Sequence, residues 1–391
     1  RYDAVLDGVL GIGIRGEVGA PYHEAIRELN LHRSRFGICV VAMDVPSGLD
    51  ADTGRPAGIA VHADHTLSFG PAKLGLLLGE GPELCGRVHP VPLPFPSLAG
   101  DRRDEPRVDR FFDTGDRESA PPRIPRLGRP TRNRHKYDQG AVFVVGGSPG
   151  LTGAVRMCAR SAWDKGAGAV LVACPEGLLP TLAADAFPVL HPVGVGEGRG
   201  SFVAADVADV AEWVRSRSGA LLVGPGLGAD THATGFVPEL LSRLPDVPTV
   251  VDADGLRGWD PAEVLPTGGR SAPLVLTPHP GEAEGLFGPT EGGSAVDRIE
   301  QARQAARRFG IHICSKGDPV AVLTPDKGAV VGAYSNRAFN RAGAGDTLAG
   351  RIVANLSFGS EPLHAILDAL LAGLESLPSL PHAGHPTRPH P

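Results

Sequence analysis

The chain has 391 residues, more than one average domain holds, and its 42% hydrophobic and 21% charged residues suffice for two buried cores and a solvated surface. A formal net charge of −6, with arginines scattered along the chain, excludes the basic footprint of a nucleic-acid binder. Cys39, Cys85, Cys158, Cys174 and Cys314 form no C-x-x-C pair and read as reduced thiols; with no signal peptide and no apolar run long enough to span a bilayer, the expected setting is cytoplasmic, without a membrane partner.

The chain opens at Arg1 directly on a strand-like segment, which reads as a cut start. From there to residue 97, "YDAVLDGVLGIG", a helical "YHEAIRELNL" and the apolar "GICVVAMDV" predict strand, loop, helix and strand. Apolar runs separated by one helix imply parallel strands joined by a crossover. Residues 98–134 are polar, charged and proline-bearing, the composition of an interdomain linker. Over 135–375 the apolar runs return as "GAVFVVGG", "AVLVAC", "ALLVGPG", "PTVVDADG", "PLVLTPHPGE" and "IHICSKG", with a long helix predicted at "TGAVRMCARSAWDKGAG". Continuous apolar strands alternating with helices and ending in glycine-rich or polar loops predict a doubly wound, mostly parallel α/β sheet, whose ligands bind beyond the carboxyl ends of the strands. Residues 376–391, "SLPSLPHAGHPTRPHP", predict a disordered tail.

Those loops carry the chemistry-bearing residues. In "RAGAGDTLAG", residues 341–350, Gly343 and Gly345 allow a tight turn into a helix, where backbone N–H groups and the helix dipole favour an anion. Asp346 there is either a base for a hydroxyl attacking a phosphoryl group or a simple helix cap. "GGSPGLTGA" at 146–154 opens another helix, and "GPGLG" at 224–228 and "LTPHPGE" at 276–282 place Gly228 and His279 at strand ends, on the same expected rim. His279, between two prolines, is either a stiff hydrogen-bonding platform or merely solvated. Asp252 and Asp254 of "VDADGL" suit turn chemistry or a magnesium or substrate role, and Lys316 of "SKG" suits a phosphate partner or a surface lysine.

Taken together, "HKYDQGAVFVVGGSPGLTGA", "VGPGLG", "DADGL", "LTPHPGE", "KG" and "GAGDTLAG" resemble the NAD(P)H-hydrate dehydratase family, a branch of the ribokinase-like superfamily. The resemblance implies a ribokinase-like α/β/α sandwich. It also implies that Ala154, Gly228, His279 and Asp346 touch the hydrated cofactor, NAD(P)HX, and that Lys316, Gly317, Asp318, Pro319, Val320 and Gly345 hold ADP or ATP, with Mg²⁺. A homo-oligomer is expected. Two departures stand out: Arg341 precedes the last glycine-rich turn, where the family has a small or hydroxyl-bearing residue, and the proline-rich end replaces a closing helix with a histidine-glycine pair.

Upstream, "DGVLGIGIRGEVGAPY", "MDVPSGLDADTG" and "ADHTLSFGPAKLGL" resemble the second half of the hydrate-epimerase domain commonly fused to this dehydratase, a truncated Rossmann-like α/β module. By that resemblance Asp7 and Ser47 help hold K⁺, while Gly11, Ile12, Gly13, Ile14, Arg15, Gly16, Glu17 and Asp44 contact the hydrate. Little or no epimerase activity is expected without the first half. The rival readings are a small-molecule kinase of the ribokinase superfamily, which needs the same turn and Asp346, and a catalytically impaired binding module.

Overall fold

A computed structural model describes residues 4–70, 73–93, 108–112, 140–184, 188–228, 235–265, 270–290, 293–326, 329–332 and 341–375. By contacts the chain forms two compact units: Arg1–Pro122 with Pro278–Asn336, and Arg123–Thr277 with Arg337–Pro391.

In the first unit, strands Ala4–Asp7, Cys39–Met43, His65–Phe69 and Arg87–Val91 lie side by side in that order and all parallel. The crossover between the first two is the helix Tyr22–Phe36, as the apolar pattern predicts. Gly37, in the left-handed region at φ 63, ends it by donating its N–H to Arg33 O at 2.9 Å. Ile26 is buried with Val40, Ala42, Val61 and Ala63, so this helix is fixed by one apolar stripe. Arg33 adds a clamp: its guanidinium reaches Asp64 Oδ1 at 2.6 Å, and Asp64 Oδ2 accepts the Val40 N–H at 2.8 Å. The unit's second segment carries helices Pro280–Phe287 and Ala295–Phe309, then the antiparallel strands His312–Ser315, Ala321–Leu323 and Ala329–Gly332.

One expectation needs revising. The stretch read as a linker contains a strand, Val108–Phe112, paired in parallel with Ala329–Gly332. "VDRFF" has the β-branched and aromatic content of a strand, but its charged flanks dominate the composition. The remainder of that stretch and the expected disordered tail lie outside the described residues.

In the second unit, strands pair in parallel in the order Val189–Val193, Ala169–Pro175, Ala141–Val145, Gly219–Val223, Thr249–Val251, Leu274–Leu276. Every residue of Ala141–Val145 and Ala169–Pro175 is buried, which is why these strands read as unbroken apolar runs rather than alternating ones. Ala141–Val145 is flanked by Ala169–Pro175 on one side and Gly219–Val223 on the other. The chain order therefore reverses there, at a topological switch point where an open α/β sheet leaves a crevice for ligand. No helix among the described residues is long and apolar enough to cross a membrane.

Candidate active site

The loops that leave the two strands at the switch point are "GGSPGL" and "GPGLG", and the backbone ties them together. Gly147 donates its N–H to Pro225 O at 3.0 Å, and a side chain on Gly226 would meet Leu151 O. The "DADGL" loop joins them. Asp254 Oδ2 accepts the Gly228 N–H at 3.0 Å, while Asp252, 1% exposed, accepts the Thr277 hydroxyl at 2.6 Å. Both carboxylates are thus engaged in shaping the loops, in line with the turn-chemistry reading. Ala154 follows in the first turn of the helix Thr152–Asp164, half-buried.

Asp346 lies in the first turn of the helix Ala344–Ser357. Its N-cap is Gly343, held at φ 83, a conformation that any larger residue adopts only under strain. The tight glycine turn into a helix expected of "GAGD" is therefore present. The helix crosses Thr152–Asp164 with the backbones in contact, because a side chain on Gly350 would fall onto Cys158 O. Two side chains lock the crossing: Ser161 donates its hydroxyl to Thr347 O at 2.7 Å, and the Cys158 thiol lies 3.9 Å from Asp346 Oδ1. Neither Cys158 nor Ser161 stood out as a site residue in the sequence; their spacing of three on a predicted helix was the available signal.

His279, Lys316, Gly317, Asp318, Pro319 and Val320 belong to the first unit, and Ala154, Gly228, Gly345 and Asp346 to the second. His279 is extended, as its flanking prolines predict, but it also caps the helix Pro280–Phe287. Its Nδ1 accepts the Glu282 N–H at 3.2 Å, and Glu282 Oε2 accepts the His279 N–H at 2.8 Å. An accepting Nδ1 leaves the ring proton on Nε2, which lies 3.2 Å from Glu282 Oε1. Glu282 was missed, although a glutamate three residues after a cap is a helix-start signal. The Lys316 N–H bonds Pro278 O at 2.8 Å, so the expected nucleotide segment starts beside the histidine loop. Within that segment Val320 is buried, and burial, with Glu83 adding like charge, raises the Asp318 carboxyl above its ordinary range.

In the N-terminal segment the predicted cation ligands meet. Asp7, 1% exposed, accepts the Ser47 hydroxyl at 2.5 Å and the Ser47 N–H at 2.8 Å, and Ser47 Oγ accepts the Leu10 N–H at 2.8 Å. The loop 11–17 is tethered at its start by that last bond and beyond its end by Val18 N–H to Ala57 O at 2.8 Å. Around Gly11 and Gly13 a side chain would meet nothing within 4 Å, so packing does not demand glycine there. Asp44 sits at φ 71, costly by about 1 kcal/mol for a residue with a side chain. It is held there by the Phe69 N–H at 2.9 Å and by an ion pair with Lys73, which also donates to Phe69 O at 2.7 Å. Lys73 was not anticipated.

A family model described as NAD(P)H-hydrate dehydratase matches residues 142–376. The chain belongs to the NAD(P)H-hydrate dehydratase family. A second model, YjeF-related protein N-terminus, matches residues 1–75. Among curated relatives, the bifunctional NAD(P)H-hydrate repair enzyme Nnr of Salinibacter ruber is 36% identical over 373 residues, covering 94% of this chain and 66% of the relative. The Escherichia coli protein of the same name is 32% identical over 368 residues, covering 93% of this chain and 64% of its own length. The chain thus spans about two thirds of the length of the curated relatives it matches. A crystal structure of ADP/ATP-dependent NAD(P)H-hydrate dehydratase from Bacillus subtilis, co-crystallized with ATP and Mg²⁺, superposes with a TM-score of 0.52 at 26% identity, over 62% of this chain and 81% of that one. The dehydratase fold is ribokinase-like, preceded by a parallel-sheet N-terminal module.

Proposed function

We propose that this chain is a lyase that dehydrates NAD(P)HX to NAD(P)H at the expense of ADP or ATP. The observation that carries this reading is Asp346, half-buried in the first turn of a helix that starts on a left-handed glycine. The placement suits a carboxylate that must take a proton beside backbone N–H groups able to meet phosphoryl charge. Asp346 removes the proton from the C6 hydroxyl of the hydrate as its oxygen attacks the terminal phosphoryl of the nucleotide. The C6–O bond of the resulting phosphate ester then breaks with the electron pair leaving on phosphate; the ring nitrogen's lone pair forms an iminium at C6, and loss of the C5 proton to the released phosphate restores the neutral dihydropyridine. Lys316, Gly317, Asp318, Pro319, Val320 and Gly345 hold the nucleotide; Ala154, Gly228 and His279 orient the hydrate. ADP is the favoured donor, because fusion to an epimerase module is the bacterial arrangement.

Mg²⁺ fits as a companion of the nucleotide phosphates, whose oxygens are hard ligands of the kind it prefers. K⁺ fits the N-terminal cluster. Among the described residues, buried Asp7 accepts from the neutral donors of Ser47 and Val9, and the Asp7 carboxylate, Ser47 hydroxyl and Leu10 carbonyl are hard oxygen ligands. A bound cation there would offset the buried charge. Gly11, Ile12, Gly13, Ile14, Arg15, Gly16, Glu17 and Asp44 would face the hydrate in the epimerase module. The buried cysteines Cys85, Cys158, Cys174 and Cys314, not joined in disulfides among the described residues, support a reducing, cytoplasmic setting.

The deciding experiment incubates the protein with NADHX or NADPHX and with ADP or ATP, following dihydropyridine absorbance and free phosphate. Absorbance recovered in step with phosphate release supports the dehydratase. Phosphoryl retained on the organic product would instead make the protein a kinase.

A further inference from the structure

A groove of about 610 Å³ runs along the outside of the second unit, within the range of sites that hold a ligand of cofactor size. It is lined in part by Gly153 and Thr347, the chain neighbours of Ala154 and Asp346. Its walls then carry Arg156, Arg160, Lys165 and Arg351, with Asp164 as the carboxylate among them. Counting Asp368, which pairs with Lys165, four cations stand against two carboxylates, a local excess of positive charge in a chain whose net charge is −6. The spacing makes it a stripe: Arg156 and Arg160 are one helical turn apart, as are Thr347 and Arg351, so the cationic side chains continue along the helix faces that begin beside the proposed base.

The stripe is held in place by its own ion pairs. Arg160 binds Asp164 at 2.9 Å and Lys165 binds Asp368 at 2.6 Å. Guanidinium groups carry several N–H donors and match phosphate oxygens in pairs, so a pairing with one carboxylate leaves donors for a second anion. The hydrate has the matching charge distribution. Its reacting ring is neutral, while its pyrophosphate, and in NADPHX the 2′-phosphate, lie on the side away from C6.

We propose that this groove holds the phosphates of the hydrated dinucleotide, with Arg156 and Arg351 as contacts, while the ring lies at Asp346. The inference rests on the dehydratase reading above and adds to it where the distal half of the substrate goes.

The test is steady-state kinetics of the full chain and of Arg351→Gln and Arg156→Gln, varying NADHX, NADPHX and the nucleotide in turn. Losing one guanidinium–phosphate contact should raise KM for the hydrate about tenfold, with the nucleotide KM changed less than about twofold. Equal rises for both hydrates assign the contact to the pyrophosphate, and a larger rise for NADPHX assigns it to the 2′-phosphate; either supports the proposal. Arg351→Lys, which keeps the charge, should recover part of the affinity and guards against a folding defect. An unchanged hydrate KM, or a rise confined to the nucleotide KM, overturns it. If the unaltered chain turns over neither hydrate, the dehydratase reading fails by itself. The groove is then judged by NADPH fluorescence titration, in which about tenfold weaker binding by Arg351→Gln sustains the phosphate site and equal binding removes it.

Discussion

The buried thiol of Cys158 lies 3.9 Å from Oδ1 of Asp346, across a helix crossing that Gly350 makes close enough for backbone contact. The carboxylate is therefore set by the packing of two helices rather than by a flexible loop, which suits a group that must meet a hydroxyl at fixed distance.

If Asp346 is the base, Asp346→Asn keeps the shape of the turn and removes the proton acceptor. The expected loss in kcat is on the order of 10²-fold or more, with hydrate affinity largely retained. Single-turnover rates with saturating nucleotide check this, and a variant retaining a tenth of the wild-type rate would exclude Asp346 from that role.

Gly350→Ala tests the crossing itself. The added methyl would fall on Cys158 O and close to Ser161 Cβ, both on a helix that cannot yield without moving Asp346 and Thr347. Overpacking of this kind costs roughly 1–3 kcal/mol. Urea unfolding should show the loss together with a fall in kcat; unchanged stability would mean that the helices have room to part.

Much of this arrangement could be read from the chain because its determinants are local. "GAGD" needs only a left-handed glycine and a helix start, and buried parallel strands announce themselves as "AVFVV" or "ALLV". What escaped reading depends on partners distant in sequence. Cys158 finds Asp346 across 188 positions, and Lys73 finds Asp44 only once two strand ends are adjacent. Val108–Phe112 was masked for another reason: a five-residue strand between charged, proline-bearing flanks leaves no mark on composition. His279 shows a third case, since its role as a helix cap and its expected role as a substrate contact use the same extended backbone, and the first does not exclude the second.

Acid should weaken the N-terminal sheet through Asp64. Burial by itself would raise this carboxyl, but the Arg33 hydrogen bonds, the Val40 N–H and the charges of Arg33 and His65 outweigh it and hold the group below its ordinary range. A carboxyl lowered on folding contributes stability above its unfolded value of about 4, and that contribution disappears as pH falls through the folded value. The pair is about one-third exposed, so the contribution is about 1 kcal/mol at most. Arg33→Met should therefore lower the urea midpoint at pH 7 and converge with wild type in strong acid. A gap that persists undiminished at low pH would mean that Arg33 acts through its hydrocarbon stem.

Ser47→Ala probes the buried cluster that is proposed to hold K⁺. The hydroxyl has two tasks: it donates to Asp7 Oδ1 and accepts from Leu10 N–H. Without it the Asp7 carboxylate keeps the Ser47 N–H at 2.8 Å and a weaker approach from Val9 N–H at 3.4 Å, in surroundings that leave it 1% exposed. A hydrogen bond to a charged group is worth about 1.5–3 kcal/mol, and stranding a buried charge adds to the loss. The expected destabilisation is thus roughly 2–3 kcal/mol, read from the unfolding midpoint. Asp7→Asn removes the charge that makes the missing donor costly, so in the double variant the second change should cost less than it does alone. Strict additivity of the two substitutions would show that Ser47 acts on Leu10 only, and the case for a cation held jointly by Asp7 and Ser47 would lose its structural basis.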